Sequence, residues 1–244
     1  MPVRRYEGEE MTFITAVIPV YNDAEALKTA IPKSLETLEA IGKPFELIIA
    51  EDESTDGTRE IAAEWEKRDK RVRHLHSDKR EGRGKALNRA LAIANGDIFC
   101  YYDVDLATSM THLAELISHI EDGAAVATGS RLMNDSSITR SADREFASRN
   151  YNRLVRTLLK SKLADHQCGF KAYRTDVLKE LVKEIEAPHW FWDTESLILA
   201  QRKGLRVDEF PVHWTQGPGT TVRLKDVKAM GMDILHLRKR LSRK

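Results

Sequence analysis

Two aspartates separated by one residue, Asp103 and Asp105, close an apolar and aromatic run at residues 98–105 (IFCYYDVD). A run of β-forming residues predicts a buried strand, and the carboxyl ends of strands in open α/β sheets face the crevice where ligands bind. Carboxylate oxygens at that edge suit Mg²⁺ or Mn²⁺, with water and a diphosphate as the remaining ligands. An isolated Asp-X-Asp more often ends a strand in solvent, so the interpretation depends on the residues that accompany the pair.

Other charged residues are predicted at the same edge. Asp52 follows the apolar run at 45–50 (FELIIA) and is placed to accept an N–H group of a nucleobase. Lys85 begins a predicted helix after two glycines, where a cation and free backbone N–H groups favour phosphate. Each residue alone is more often a cap, a turn or a surface charge. Their recurrence at one sheet edge, together with the aspartate pair, favours a single site.

The elements that carry these residues alternate between strand and helix. Strands are predicted at residues 13–20, 45–50, 72–76 and 98–102, and helices at 24–41, through 61–65 and at 82–94. Pro32 is expected to kink or break the first helix. Because strand and helix alternate repeatedly over the first half of the chain, we expect a mostly parallel sheet with helices on both faces.

The pattern is less regular after Asp105. Helices are predicted at 110–120, 145–162 and 226–241, and strands at 124–129 and 205–212. Residues 131–144 form a polar segment, and residues 216–221 are predicted as a Gly-rich loop. The helices at 145–162 and 226–241 carry an apolar stripe with basic flanks. Such a stripe lies in a membrane interface, packs on the core or packs on a second subunit, and the sequence leaves these alternatives open.

Composition limits the class of protein. Lys and Arg total 39 against 38 Asp and Glu, so overall charge does not indicate a nucleic-acid partner. Cys100 and Cys168 lack CxxC partners, which favours core thiols over a zinc or disulfide framework. No stretch approaches the roughly 18 uninterrupted apolar residues of a spanning helix, and residues 1–11 lack the apolar segment of a signal peptide. We therefore expect a cytoplasmic chain, or one that lies on a membrane without crossing it.

Several motifs, taken in order, resemble the signatures of family-2 glycosyltransferases of the GT-A fold. These are IPVYN at 18–22, EDESTDGT at 51–58, GRGK at 82–85 and DVD at 103–105. Later motifs resemble the branch that glycosylates dolichyl phosphate, namely GSR at 129–131, DHQCGFK at 165–171, HWFWDTE at 189–195 and EFPVHW at 209–214. The QCGFK and WDTE runs are more similar to glucosyltransferases than to mannosyltransferases. The resemblance covers about residues 15–222.

The resemblance implies an architecture. It implies a GT-A, Rossmann-like α/β fold, with a mostly parallel sheet flanked by helices and with amphipathic helices toward the C-terminus. Residues 1–225 would form the catalytic domain, with a nucleotide-sugar half at about 12–106 and an acceptor half at about 107–225. A basic amphipathic helix at 226–244 would follow.

The resemblance also implies a donor site. Pro19, Tyr21 and Asp52 match positions that hold the nucleoside in the family, and Lys85 remains a candidate for donor phosphate. Asp103 would contact the nucleotide and, with Asp105, the metal. An Mg²⁺ or Mn²⁺ ion held there would neutralise the diphosphate leaving group as a Lewis acid.

The acceptor side is implied in the same way. Arg131 and Arg144 match positions where the family places arginines for the acceptor phosphate, and a planar guanidinium suits that group. A phosphomonoester is largely dianionic at neutral pH, so its oxygen can attack the sugar with little help from a base, inverting the anomeric centre. Asp165 and Asp193 are the candidates for orienting the acceptor or taking a residual proton. Asp165 is preferred because it matches a base proposed in related enzymes.

This sequence departs from the family pattern at three positions. Glu53 replaces a glycine in the loop after the second strand, Ala107 replaces a metal-contacting glutamine, and Gln216 replaces an arginine that would face the donor diphosphate. Arg223 is a candidate substitute for that arginine. The first departure makes the geometry of the base contact uncertain, and the others weaken a mannosyl assignment more than they weaken an enzyme.

The expected activity is the inverting transfer of a hexose, with glucose from UDP-glucose as the first choice, onto dolichyl or another polyprenyl phosphate. The two basic amphipathic helices would touch the cytoplasmic face of the membrane. Alternatives are transfer from GDP-mannose to the same acceptor, transfer to a glycan or protein hydroxyl, and a non-enzymatic module that binds a nucleotide sugar or a lipid. No nucleic-acid partner is expected, and a homo-oligomer is compatible with the apolar stripes.

Overall fold

The structure is a computed structural model that describes residues 12–139, 141–216 and 224–242. Its strands are β1 (Ile14–Val20), β2 (Phe45–Glu51), β3 (Val72–Leu75), β4 (Ile98–Tyr102), β5 (Val126–Ser130), β6 (Ser137–Thr139), β7 (Phe170–Arg174), β8 (Val207–Pro211) and β9 (His213–Thr215). Its helices are α1 (Ala24–Ile41), α2 (Thr58–Arg68), α3 (Arg83–Ile93), α4 (Leu113–Glu121), α5 (Ala142–Leu159), α6 (Thr175–Leu181), α7 (Phe191–Arg202) and α8 (Leu224–Leu241). A short 3₁₀ turn, Met110–His112, precedes α4.

Seven strands form one sheet in the order β3-β2-β1-β4-β7-β5-β8. All of its pairings are parallel except the two that β7 makes with β4 and β5, so the predicted mostly parallel sheet is confirmed. The strand order reverses beside β1, with β2 on one side and β4 on the other. The carboxyl ends of β1 and β4 therefore flank a topological switch point, which is where open α/β sheets bind ligands.

β1, β2 and β4 are buried on both faces of the sheet, as their continuous apolar sequences predict. Alternate residues of β1 pack into two separate clusters, so that Ile18 lies against the cluster that includes α1 and Val17 lies against the cluster that includes α3. β1 pairs with β4 only as far as Val17, so the missing N–H of Pro19 removes no hydrogen bond from that ladder. The chain can thus carry a proline just before the switch point.

The expectation of an interruption at Pro32 is corrected in one respect, because α1 continues through this residue without a break. Ile31, Leu35 and Leu38 are buried in the core on both sides of the proline. The burial of these turns offsets the hydrogen bond that proline cannot donate.

In the second half of the chain, the sequence pattern missed or misplaced several helices and strands. β7 carries the fully buried Lys171 between apolar residues, so its sequence, FKAYR, does not give the pattern of a buried strand. The polar segment at 131–144, for which no element was predicted, contains β6, and α6 and α7 were not predicted either. α5 begins and ends three residues earlier than expected, and it stops at Lys160, which has a left-handed φ of 58°.

The two predicted amphipathic helices bury much of their apolar surface inside the protein. α5 contributes Tyr151, Val155 and Leu159, and α8 contributes Ile234 and Leu237, to a cluster that also includes part of α7. Other apolar side chains of these helices remain exposed, including Phe146 at 72% and Met232 at 63%. Among the helices described, none is long and apolar enough to cross a membrane.

Candidate active site

The turn after β4 presents the Asp-X-Asp pair. Asp103 donates its backbone N–H to the Gly169 carbonyl at 3.2 Å, and the Asp105 carboxylate accepts the N–H of Ala107 at 3.0 Å. A Cβ on Gly169 would lie 2.0 Å from an Asp103 carboxylate oxygen, so only glycine leaves room for this side chain. Burial and the neighbouring Asp103 carboxylate raise the pKa of Asp105. Two adjacent oxygen donors in this cradle suit Mg²⁺ or Mn²⁺.

Arg83, the first residue of α3, connects Asp103 to a second carboxylate. Its Nη2 donates to Asp103 at 2.8 Å, and its Nη1 donates to Asp193 of α7. The guanidinium also lies 5.1 Å from the centroid of the Tyr101 ring and 5.5 Å from that of Trp190. Because the Arg83 guanidinium bridges Asp103 and Asp193, it holds the Asp103 carboxylate in one orientation at the edge of the sheet.

Asp193 lies beneath this edge and is almost fully buried. Besides Arg83 it contacts the buried Lys171 ammonium at 2.8 Å and accepts a hydrogen bond from the Tyr101 hydroxyl. Burial opposes ionisation of Asp193, but the charges of Arg83 and Lys171 outweigh it and lower the pKa of the carboxyl group. The Arg83 guanidinium remains protonated because its pKa is raised against the effect of burial by Asp193 and Asp103.

The loop after β2 carries Asp52, which is buried at the base of the crevice. One carboxylate oxygen accepts a hydrogen bond from the Gly82 N–H at 2.8 Å, and the other accepts one from the Arg89 guanidinium at 3.0 Å. Gly82 has a φ of 101°, and a Cβ there would lie 1.8 Å from the His189 ring, so the turn before α3 requires glycine. The Asp52 carboxylate thus links the end of β2 to α3. A nucleobase that binds Asp52 would have to share the carboxylate with the Gly82 and Arg89 donors.

The departure at Glu53 does not change the backbone conformation that a glycine would favour. Glu53 has a left-handed φ of 58°. Its N–H bonds to the Ser77 carbonyl at 3.0 Å, and its carboxylate accepts the Arg80 N–H at 2.9 Å. These two hydrogen bonds oppose the roughly 1 to 2 kcal/mol that a left-handed conformation costs a non-glycine residue.

The remaining donor-side candidates lie around this loop. Pro19 is the penultimate residue of β1, beside the switch point. Tyr21 is 38% exposed, and the Arg80 guanidinium lies 3.8 Å from its ring centroid. Lys85 is an exposed residue in the first turn of α3, and its backbone N–H bonds to the Pro188 carbonyl. Tyr21 therefore offers an accessible aromatic face, whereas the Lys85 backbone N–H is already used.

The acceptor-side candidates Arg131 and Asp165 form an ion pair with each other. Arg131 follows β5, and its Nε and Nη2 donate to the Asp165 carboxylate at 2.7 and 3.0 Å. The Arg131 backbone N–H donates to the same carboxylate at 3.1 Å. Asp165 is fully buried, which opposes ionisation, but Arg131 holds the pKa of the carboxyl group well below its usual range. The Arg131 guanidinium lies 5.7 Å from the centroid of the Trp214 ring.

Two further groups fix the loop that carries Asp165. Glu209 of β8 accepts the backbone N–H groups of Ala164 and Asp165, at 2.8 and 2.7 Å. The buried His166 ring lies 2.7 Å from both Asn152 of α5 and Ser161. Burial lowers the pKa of His166 to about 4, so this imidazole is neutral at pH 7. The Asp165 carboxylate is therefore held rigidly against Arg131.

The described residues bring most of the predicted site together but leave two candidates outside. Arg144 lies in the first turn of α5, and its side chain is outside the described part of the structure. Arg223 lies outside the described residues altogether. Sequence reasoning missed Arg83, Lys171 and Arg89, although Arg83 stands inside the GRGK motif and Lys171 inside the DHQCGFK motif.

Comparison with known proteins identifies the family. Residues 15–182 match the family model described as "Glycosyl transferase family 2", and the chain belongs to this family. Its fold is the Rossmann-like GT-A fold of these enzymes. Glucosyl-3-phosphoglycerate synthase from Mycobacterium tuberculosis, solved with uridine diphosphate, superimposes with a TM-score of 0.68 at 21% identity, covering 93% of this chain and 79% of that one.

Two curated relatives match most of the length of this chain. Glycosyltransferase AglD of Haloferax volcanii is 47% identical over 226 residues, which cover 91% of this chain but 36% of AglD. The chain thus spans well under half the length of that relative. Dolichyl-phosphate beta-glucosyltransferase of Homo sapiens is 27% identical over 243 residues, covering 93% of this chain and 75% of the human protein.

Proposed function

We propose that the protein transfers a hexose, with glucose from UDP-glucose as the first choice, onto the phosphate of a polyprenyl or dolichyl phosphate, with inversion at the anomeric carbon. The choice of acceptor and sugar is supported by relatives named dolichyl-phosphate beta-glucosyltransferase. The choice of reaction is supported by membership of the family and by the two charged regions at the sheet edge.

The observation that carries the proposal is the pairing of the two carboxylates considered as bases. Asp165 is bound by Arg131, and Asp193 is bound by Arg83 and Lys171, and the pKa of each carboxyl group is lowered. A carboxylate stabilised in its charged form is a weak proton acceptor. This arrangement favours an acceptor that is already ionised, which a phosphate is and a sugar or serine hydroxyl is not.

On the donor side, we assign the nucleoside to Pro19, Tyr21 and the loop held by Asp52, and the metal to Asp103 and Asp105. An Mg²⁺ or Mn²⁺ ion supplies charge that offsets the diphosphate leaving group. Arg83 orients Asp103 toward that position. Lys85 and Arg223 remain proposed contacts of the donor phosphates on the strength of their motif positions.

On the acceptor side, Asp165 acts through Arg131. Because Asp165 uses Nε and Nη2 of the guanidinium, we assign the remaining Nη1 to the acceptor phosphate. Arg144 is the second proposed phosphate contact. The phosphate oxygen then attacks the anomeric carbon from the side opposite the leaving nucleotide, forming the new glycosidic bond as the bond to the diphosphate breaks. The role proposed for Asp165 is to position Arg131 rather than to take a proton.

A polyprenyl acceptor requires contact with a membrane. We propose that exposed apolar side chains of α5 and α8, namely Phe146, Leu154, Met232 and Leu235, enter the cytoplasmic face of the lipid surface. The basic residues in the last turn of α8 would lie near anionic headgroups. Flotation with anionic vesicles containing dolichyl phosphate tests this contact. We expect Phe146→Glu to reduce flotation, and equal flotation of this variant and the wild type would contradict the assignment.

The activity is tested by incubating the protein with Mn²⁺, polyprenyl phosphate and, in parallel, radiolabelled UDP-glucose, GDP-mannose and UDP-N-acetylglucosamine. We expect label from UDP-glucose to enter the organic phase as an acid-labile glycolipid. The Asp105→Asn variant serves as the inactive control. Label from GDP-mannose alone would reassign the sugar and keep the reaction.

Two other outcomes would overturn the proposal. Transfer of label to a soluble glycan or to protein, with none in the organic phase, would assign a hydroxyl acceptor. Tight binding of a nucleotide sugar without turnover on any of these acceptors would favour a binding module.

A further inference from the structure

A second group of ligand-type side chains lies at the ends of β2 and β3. His74 pairs with Ile49 in the β2–β3 ladder, and the Ser77 N–H continues the contact by bonding to the Glu51 carbonyl at 3.1 Å. Side chains alternate along a strand, so His74 and His76 project from one face of the sheet, the face that also carries Glu51. The strand register alone therefore brings two imidazoles and a carboxylate together.

The donor atoms of this cluster converge. Glu51 Oε2 lies 3.8 Å from His74 Nε2 and is in hydrogen-bond contact with His76 Nδ1. Within the described residues, these three side chains are the one group of histidine, cysteine or acidic residues whose ligand atoms all lie within 4.8 Å of one another. Ligand atoms around a bound transition-metal ion are separated by roughly 3 to 3.5 Å, given metal–ligand bonds of about 2.0 to 2.1 Å.

One ring nitrogen of His74 is buried without a hydrogen-bond partner. Its side chain is only 9% exposed, and its Nε2 is buried with no hydrogen-bond partner in the structure. A buried polar nitrogen without a partner costs about 1 to 3 kcal/mol. The unpartnered atom faces Glu51 Oε2, so a ligand between them would satisfy it.

The outer contacts of the cluster are those of a metal site. His76 Nε2, on the side of the ring away from Glu51, lies 3.0 Å from Asp78. A carboxylate on the second ring nitrogen fixes the orientation of a metal-bound histidine. The other Glu51 oxygen accepts the Ser54 N–H, which holds the carboxylate in place.

From this geometry we infer that His74, His76 and Glu51 bind a divalent transition cation of the Zn²⁺ type, with water as the fourth ligand. Two imidazoles and one carboxylate are a ligand set that suits Zn²⁺, whereas Asp103 and Asp105 offer only the oxygens that Mg²⁺ and Mn²⁺ prefer. The cation would insert between Glu51 and His76 and replace their direct hydrogen bond. The protein would then hold two cations of different chemistry.

The proposed cation would act on the loop that follows β2. Glu51 is adjacent to Asp52, and Glu53 is tied to Ser77 beyond β3. A cation that joins the ends of β2 and β3 would therefore stiffen the segment that presents Asp52. Its role would be structural rather than catalytic, because none of its three ligands is Asp103 or Asp105, the aspartate pair that follows β4.

The test is zinc retention by the full chain. The protein is stripped with a chelator, loaded with Zn²⁺ in excess Mg²⁺, separated from free metal and analysed by inductively coupled plasma mass spectrometry. We expect about one zinc per chain in the wild type and in Asp105→Asn, and less than a tenth of that in His74→Gln and His76→Gln. His236→Gln, which removes an exposed histidine on α8, is the matched control and should keep its zinc.

A second measurement uses the wild type alone and does not depend on how the variants fold. Adding Zn²⁺ should shift the imidazole NMR signals of His74 and His76. It should also raise the thermal midpoint by about 5 °C or more at a hundredfold excess over the dissociation constant. Absence of retained zinc in the wild type, full retention in His74→Gln, or loss of zinc in Asp105→Asn would each overturn the inference.

Discussion

Two arginine–aspartate pairs lie at the two ends of the site, and the arginine and the aspartate have opposite roles in them. On the donor side, Arg83 lies beneath Asp103, whose side chain is 39% exposed, so the arginine positions a carboxylate that faces the crevice. On the acceptor side, Asp165 is fully buried beneath Arg131, so the carboxylate positions an arginine. The difference matches the ligands proposed for the two ends, since a cation needs a carboxylate and a phosphate needs a guanidinium.

The strongest test of this contrast is Asp105→Asn on the donor side. We expect kcat for sugar transfer to fall about a thousandfold, because loss of a metal ligand removes several kcal/mol of charge stabilisation. Turnover is measured at saturating Mn²⁺ and UDP-glucose. The thermal midpoint should change little, since an asparagine side-chain oxygen can still accept the hydrogen bond from the Ala107 N–H. Asp176→Asn, an exposed aspartate on α6, is the matched control. Activity of Asp105→Asn within tenfold of the wild type would remove the metal assignment.

Arg131→Lys tests the acceptor side, with Arg83→Lys as its counterpart. Lysine keeps the charge but loses the planar fork, so we expect Arg131→Lys to raise KM for polyprenyl phosphate about thirtyfold and to leave KM for the nucleotide sugar unchanged. Arg83→Lys should lower kcat and leave KM for the acceptor unchanged. Steady-state kinetics with each substrate varied in turn separates the two. If both variants changed the same parameter, the contrast between the two pairs would be wrong.

Asp165→Asn asks whether the buried aspartate positions Arg131 or takes a proton. A positioning role predicts that kcat/KM falls about tenfold, mainly through a higher KM for the acceptor. It also predicts that the acid limb of kcat/KM, set by the acceptor phosphate near pH 6, is retained. A loss of a thousandfold or more in kcat, together with disappearance of that limb, is the outcome expected of a general base instead.

The smallest expected effect is on stability in acid. The pKa of Asp165 is lowered in the folded protein, so its contribution to stability is fully present above its unfolded pKa of about 3.9 and is lost as the pH falls toward the folded value. The free energy of unfolding of the wild type should therefore decrease more steeply between pH 5 and pH 3 than that of Asp165→Asn. Urea titrations at several pH values measure the two slopes. Parallel curves would mean that the pair does not stabilise the fold.

The donor half was largely predictable because local pattern and global fold agree there. β1, β2 and β4 are apolar runs buried on both faces, and the predicted bounds of the strands from β1 to β4 differ from the observed ones by at most one residue at each end. The Asp-X-Asp pair and Asp52 lie at strand ends, and the parallel order alone brings them to one edge. The acceptor half was less predictable because β7 runs antiparallel and buries Lys171, a residue that pattern excludes from a core strand.

The sequence by itself determined the family, the parallel sheet and the chemical types of the residues at the site, because periodicity and ordered motifs are properties of the chain. Only the tertiary structure decided the charge pairings. It joined Arg83 to Asp193 across 110 residues and Arg131 to Asp165 across 34. It also brought His74 of β3, and His76 just after that strand, to Glu51. A buried charge requires a partner, and that partner is chosen by which strand ends and helices meet in space, which no local pattern records.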